Sequence, residues 1–129
     1  MQGFLLDTHV LLWWFTNDER LSTTAHEIIG DQSNDIYVSA ASAWEIATKT
    51  RLGKLSDVPK AVEKYGELST AQGFSHLSVT YRHGLLAGGF DAAHRDPFDR
   101  MLAAQSQLED VPLVSRDQAF AEFDVDVVW

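Results

Sequence analysis

FLLDTHVLLWWF, residues 4–15, is the stretch on which the fold turns. Phe4-Leu5-Leu6 is a short apolar run stopped by an acid, and such a run reads as a buried strand. Asp7-Thr8 supplies the start of a helix carried by Leu11, Leu12 and Phe15. A strand passing directly into a helix is the opening of an alternating α/β chain.

The alternation continues outward from this segment. Ser22 or Thr23 begins a second helix that ends at Gly30. Ile36-Tyr37-Val38 is rich in strand formers. Ser39 to Ser42 caps a helix carrying Trp44, Glu45 and Ile46 towards Gly53. Pro59 fits the first turn of a helix through Val62 to Leu68. Phe74 to Val79 is a third strand, and Tyr81 to Ala87 a helix broken by Gly88-Gly89. Pro97 opens a long helix through Leu108. Pro112-Leu113-Val114, a short helix from Asp117 to Phe123, and a strand from Val125 to Val128 complete the chain. The expectation is one α/β domain over residues 1–129, a parallel sheet with helices on both faces.

Composition narrows the class. The chain has 129 residues, 45% hydrophobic and 22% charged, enough to fold without staples. It has no cysteine, which excludes a disulfide framework, a thiolate nucleophile and a thiolate zinc site. No apolar run approaches the ~18–20 residues that cross a bilayer. Met1-Gln2-Gly3 lacks a basic region, so a cytoplasmic location without membrane contact is expected. Ten Lys and Arg against 19 Asp and Glu give a net charge of −9. That balance argues against nucleic-acid binding driven by clustered cations. It leaves room for a site whose carboxylates hold a divalent ion.

In open parallel sheets the ligand site lies beyond the carboxyl ends of the strands. Asp7 and Asp117 follow strands there, and Glu45, Asp96 and Asp99 sit near helix starts that can share the edge. Each acid has a plain reading. Asp7 and Asp96 are good N-caps, Asp99 at N3 favours the helix dipole, Asp117 can cap a short helix, and Glu45 can pair with Lys49 at i,i+4. Several of them on one edge of a small sheet suit another chemistry, metal-assisted phosphodiester hydrolysis. Packed carboxylates repel; Mg²⁺ or Mn²⁺ removes the repulsion and activates a water for in-line attack. The five histidines show no zinc spacing. His9 and His94 flank the acids as surface or supporting residues. Ser115 either meets the metal's water or ends a strand. Arg82, Arg95, Arg100 and Arg116 are candidate substrate contacts.

Four segments, LLDTHVLLWW, SAASAWEIATKTRLGKL, HRDPFDRMLAAQ and LVSRDQAFAEFDVDVVW, together resemble the PIN-domain family, and within it the bacterial VapC-type toxins. The resemblance implies a three-layer α/β/α fold with a central, mainly parallel sheet. It implies a Mg²⁺-dependent endoribonuclease leaving a 3′-hydroxyl and a 5′-phosphate. Asp7 and Asp99 match the direct metal ligands, and Glu45 and Asp117 complete the catalytic pocket. It also implies a homodimer, neutralised by a cognate VapB-type antitoxin that covers the acidic pocket, often with an Arg. Gly88-Gly89-Phe90-Asp91 departs from the family pattern in a region that shapes the pocket rim. The rival reading is a non-catalytic α/β binding module whose acidic edge captures a basic peptide. A specific, saturable divalent-ion site separates the two.

Overall fold

The computed structural model describes residues 2–129; Met1, part of the opening without a basic region, lies outside them. Five parallel strands form the sheet in the order β3-β2-β1-β4-β5. They are β1 (Gly3–Leu6), β2 (Asp35–Ser39), β3 (Ser75–Leu77), β4 (Leu113–Val114) and β5 (Val127–Val128). The helices are α1 (Thr8–Phe15), α2 (Thr23–Gly30), α3 (Ala40–Arg51), α4 (Ala61–Ala71), α5 (Tyr81–Gly89) and α6 (Pro97–Glu109). Residues Gln118–Phe123 form a 3₁₀ helix.

The strands alternate their side chains across two cores, as the two-residue period of a strand requires. Phe4, Leu6, Ile36, Val38 and Val114 face one layer, where Val10, Leu11 and Leu12 of α1, Ile29 of α2 and Ile46 of α3 bury against them. Leu5 and Leu113, with partly buried Tyr37 and Leu77, face the other layer, against Leu102 and Ala103 of α6 and Phe120 and Phe123. Apolar residues on both faces of the sheet demand helices on both sides, and the result is the expected three-layer α/β/α sandwich.

Two local expectations are corrected and a third is refined. Pro59 stands outside α4, at the second position of a turn closed by Ala61 N donating to Val58 O at 3.2 Å. Lys60, with φ −114° and ψ 20°, takes the third position, so the fixed φ of Pro59 initiates a turn ahead of the helix. The glycine pair does not break α5, which runs through Gly88 and Gly89. The guanidinium of Arg100 accepts the role of a cap there, donating to the carbonyls of Ala87 at 2.8 Å and Phe90 at 2.7 Å. The expected short helix after Asp117 is present and is 3₁₀. Its three-residue period stacks Phe120 and Phe123 on one face, both buried.

The sheet order places the site. From β1 to β2 to β3 the chain moves one way; it then crosses back to β4 and β5 on the other side of β1. β1 and β4 are therefore adjacent strands whose connections leave in opposite directions, the crevice where open α/β sheets bind ligands.

Candidate functional site

Asp7 is carried to that crevice by the end of β1. Its backbone N–H donates to Val114 O at 3.0 Å, and its carbonyl accepts from Leu11 N at 3.1 Å. The backbone thus starts α1, while the carboxylate makes no cap bond. It accepts instead from Ser115 Oγ at 2.7 Å, just beyond β4. Ser115 Oγ in turn accepts from Asp117 N at 3.0 Å. Asp7 is 6% exposed, and Ser115 is 1% exposed. Burial pushes the Asp7 carboxyl up; the Ser115 bond and the charge of His9 oppose it, and Glu45 adds to it.

Glu45 enters from α3. Thr8 Oγ1 donates to Ser42 Oγ at 2.8 Å, tying the first turns of α1 and α3 together and fixing Glu45 one turn later. The Glu45–Lys49 pair exists, but on a buried face: Glu45 is 2% exposed. Oε2 accepts from Lys49, and Oε1 is buried without a hydrogen-bond partner. Burial penalises the Lys49 ammonium, yet its bond to Glu45 and the charges of Glu45, Asp96 and Asp99 hold its pKa above the usual lysine value.

Asp99 comes from α6. Asp96 caps that helix in the plain way, accepting from Phe98 N at 2.9 Å and Asp99 N at 3.2 Å. Asp99 is left free of capping and meets His94 Nε2 at 2.8 Å. Burial pushes the Asp99 carboxyl to about 7 against the His94 bond, with Asp96, Asp7 and Glu45 adding to the rise. The hydrogen bond to Asp99 raises His94 correspondingly. Asp117 stands apart from these three: it is exposed and caps the 3₁₀ helix, accepting from Ala119 N at 2.9 Å.

All five acids line one pocket of about 500 Å³, with Arg20, Lys49 and Arg116 as its Lys and Arg side chains. The acids divide by job. Asp96 and Asp117 satisfy helix starts, whereas Asp7 and Glu45, both buried, and the half-buried Asp99 are carboxylates that no helix start needs. Among the described residues, no three His, Asp or Glu side chains are already gathered closely enough to hold an ion. Each of these three acids is instead bonded to its own neighbour: Ser115, Lys49 or His94. The set nevertheless fits a hard divalent cation. It offers carboxylate oxygens from three elements, one of them a buried acceptor with no donor, and the acids raise one another's proton affinity.

Sequence reasoning missed Trp13 and Arg20 in the lining. His9 and Trp13 stand at i,i+4 on α1, so the face that follows Asp7 was available as a signal. Arg20 carries no sequence signal beyond its proximity to Asp18. Arg100, a candidate substrate contact, is spent on the backbone: besides Ala87 and Phe90 it donates to Ala92 O at 3.2 Å and His94 O at 2.8 Å. Arg82 and Arg95 do not line the pocket.

Known proteins share this fold. A stretch of 56 residues is 43% identical to Ribonuclease VapC16 of Mycobacterium tuberculosis, covering 43% of this chain and 40% of that protein's length. The fold matches a chain of the DNA-bound VapBC structure from Salmonella typhimurium with a TM-score of 0.73 at 16% identity, over 99% of this chain and 98% of that one. It matches a chain of VapBC2 from Rickettsia felis, bound to a promoter DNA fragment, with a TM-score of 0.69 at 10% identity, over 98% of each. The PIN domain family model matches residues 4–126, from the first strand through the turn before the last. With nearly the whole chain matched and its buried acids at the expected switch point, the chain belongs to the PIN domain family.

Proposed function

We propose that the chain is an endoribonuclease that uses Mg²⁺, or Mn²⁺, to hydrolyse RNA phosphodiesters. The observation that carries this reading is Glu45 Oε1, a buried carboxylate oxygen without a donor, in a pocket shared with two acids whose proton affinity burial has raised. The 56-residue likeness to a named ribonuclease supports RNA as the substrate class.

Asp7, Glu45 and Asp99 would hold the ion, with Asp117 at the rim. Bound there, a divalent ion neutralises the carboxylates, lowers the pKa of a water and stabilises charge on the phosphate oxygens. The chain's own groups do the rest. Ser115 orients the Asp7 carboxylate, Lys49 orients Glu45, and His94 orients Asp99 while holding a proton close to the reacting centre. Recession of these groups below the surface excludes bulk water and strengthens every charge interaction in the pocket.

Two partners follow from the same reading. An acidic pocket of this size suits an inserted Arg, the form of inhibition expected of a VapB-type antitoxin; the fold is shared with chains of VapBC complexes. Tyr81 and Leu85, four apart on α5 and 78% and 72% exposed, supply apolar surface of the kind a homodimer covers.

The test is cleavage of total RNA by purified protein with Mg²⁺, with EDTA, and with Asp99→Asn. Cleavage that needs both the ion and Asp99 is the expected result. Folded protein that cleaves under no divalent ion, or binds none saturably, would return the site to the binding-module reading.

A further inference from the structure

Three Lys and Arg side chains line the acidic pocket, and two are already committed. Lys49 is bonded to Glu45. Arg20 is held by both oxygens of Asp18, Nε to Oδ1 at 3.0 Å and Nη2 to Oδ2 at 2.8 Å. Arg116 forms no ion pair and no side-chain hydrogen bond among the described residues, although Asp117 follows it directly. Its guanidinium carbon lies 5.5 Å from the ring centroid of Trp13, within cation–π range.

Trp13 is a fixed post. It sits on the last turns of α1, whose preceding residues are core, and its ring is braced by Trp129 at 5.9 Å and by the Arg20 guanidinium at 5.1 Å. A guanidinium stacked on an aromatic ring keeps its N–H edge for a second partner and matches phosphate geometry bidentately. Arg116 is also the residue between Ser115, which bonds Asp7, and Asp117. It therefore stands immediately beside the carboxylates, exposed, with its donors unspent.

In a chain of net charge −9, RNA gains little from the overall field, so affinity must come from local contacts. We propose that Arg116, positioned by Trp13, binds the phosphate next to the one cleaved, on a single-stranded RNA. The proposal rests on the nuclease reading. Single strands are specified because Asp7 and Glu45 are buried; a phosphate reaching them must enter a recess that a flexible strand can follow and a stiff duplex cannot.

The experiment uses the full chain in two assays. Anisotropy of a labelled, unstructured RNA oligonucleotide in EDTA reads binding alone, as a function of salt. Cleavage of the same oligonucleotide in Mg²⁺ reads kcat and KM. Arg116→Ala should raise KM roughly tenfold, the effect of losing a charge-assisted hydrogen bond, with kcat little changed. The slope of log affinity against log salt should fall by about 0.7, one phosphate contact on a single strand. Arg116→Lys should restore the salt slope and only part of the affinity. Trp13→Ala should reproduce the KM defect without removing a charge, and Trp13→Phe, which keeps an aromatic face, guards against misfolding of the alanine variant. Unchanged KM and salt slope in a cleaving Arg116→Ala protein would overturn the proposal, as would a defect confined to kcat. Wild-type protein that binds the oligonucleotide with this salt dependence but never cleaves it would fail the nuclease reading and leave the Arg116 contact standing.

Discussion

Ser115 Oγ donates to Asp7 Oδ2 at 2.7 Å, across 108 positions of sequence, and so joins the carboxyl ends of β1 and β4. The bond stabilises the ionised form of a carboxyl that burial otherwise pushes towards neutrality. Ser115→Ala should therefore leave the fold intact and weaken divalent-ion binding and cleavage by about 10-fold to 100-fold, the usual cost of removing a group that orients a metal ligand. Isothermal titration with Mg²⁺ and Mn²⁺ checks it; Ser115→Thr, which retains the hydroxyl, should recover most of the loss.

Asp99 carries a pH prediction. Its folded pKa, about 7, lies above the ordinary 3.8, so the folded protein holds a proton there that the unfolded chain releases. The associated stability is present below pH ~4 and is lost as pH rises through 7. Metal-free protein should thus melt at a lower temperature at pH 8 than at pH 6. Asp99→Asn, neutral throughout, should flatten this dependence and melt a few degrees higher than wild type at pH 8. A wild-type Tm that climbs from pH 6 to pH 8 without metal would contradict it.

Removing Lys49 isolates a buried charge. Breaking one side of a buried pair costs about 3–5 kcal/mol; Lys49 retains 27% side-chain exposure, so about 2 kcal/mol is expected for Lys49→Met. Denaturation in EDTA measures it. Added Mg²⁺ should recover part of the loss, and Lys49→Met with Glu45→Gln should be more stable than Lys49→Met alone, because no unpaired carboxylate remains.

Arg100 ties the end of α5 to the start of α6 through the carbonyls of Ala87, Phe90, Ala92 and His94. Its loss should cost about 3 kcal/mol, since several partly buried acceptors lose a charged donor together. Arg100→Lys should not rescue it, because one compact ammonium cannot span the set. Hydrogen exchange in residues 90–95 should rise in both variants, and RNA affinity per folded molecule should stay unchanged in EDTA.

The residues that set the fold were legible because their signals are local. Phe4-Leu5-Leu6 before an acid, Ile36-Tyr37-Val38 and Asp96-Pro97 each announce an element within a few positions, and β1, β2 and α6 are where those signals point. Asp7, Glu45 and Asp99 were legible as acids at element ends, and the structure brings them to one pocket. Their division from Asp96 and Asp117 was not legible. Asp7 and Asp96 both precede helices, and only the tertiary neighbour Ser115 shows why one side chain caps and the other does not. The persistence of α5 through Gly88-Gly89 was hidden for the same reason: the donor that satisfies its carbonyls comes from another helix. Glu45–Lys49 was visible as a pair but not as a buried one, because i,i+4 spacing says nothing of which face is covered.

The parallel order β3-β2-β1-β4-β5 sets when the acidic pocket can be completed. Asp7 is made 108 positions ahead of its hydroxyl partner Ser115, which the free guanidinium follows. A growing chain can therefore pair β1 with β2 long before β4 arrives on the other flank, and throughout that interval its first acid has no orienting neighbour. A copy that stops short of β4 lacks the Ser115 bond by its topology alone, and the pocket is complete only with the closing of the sheet.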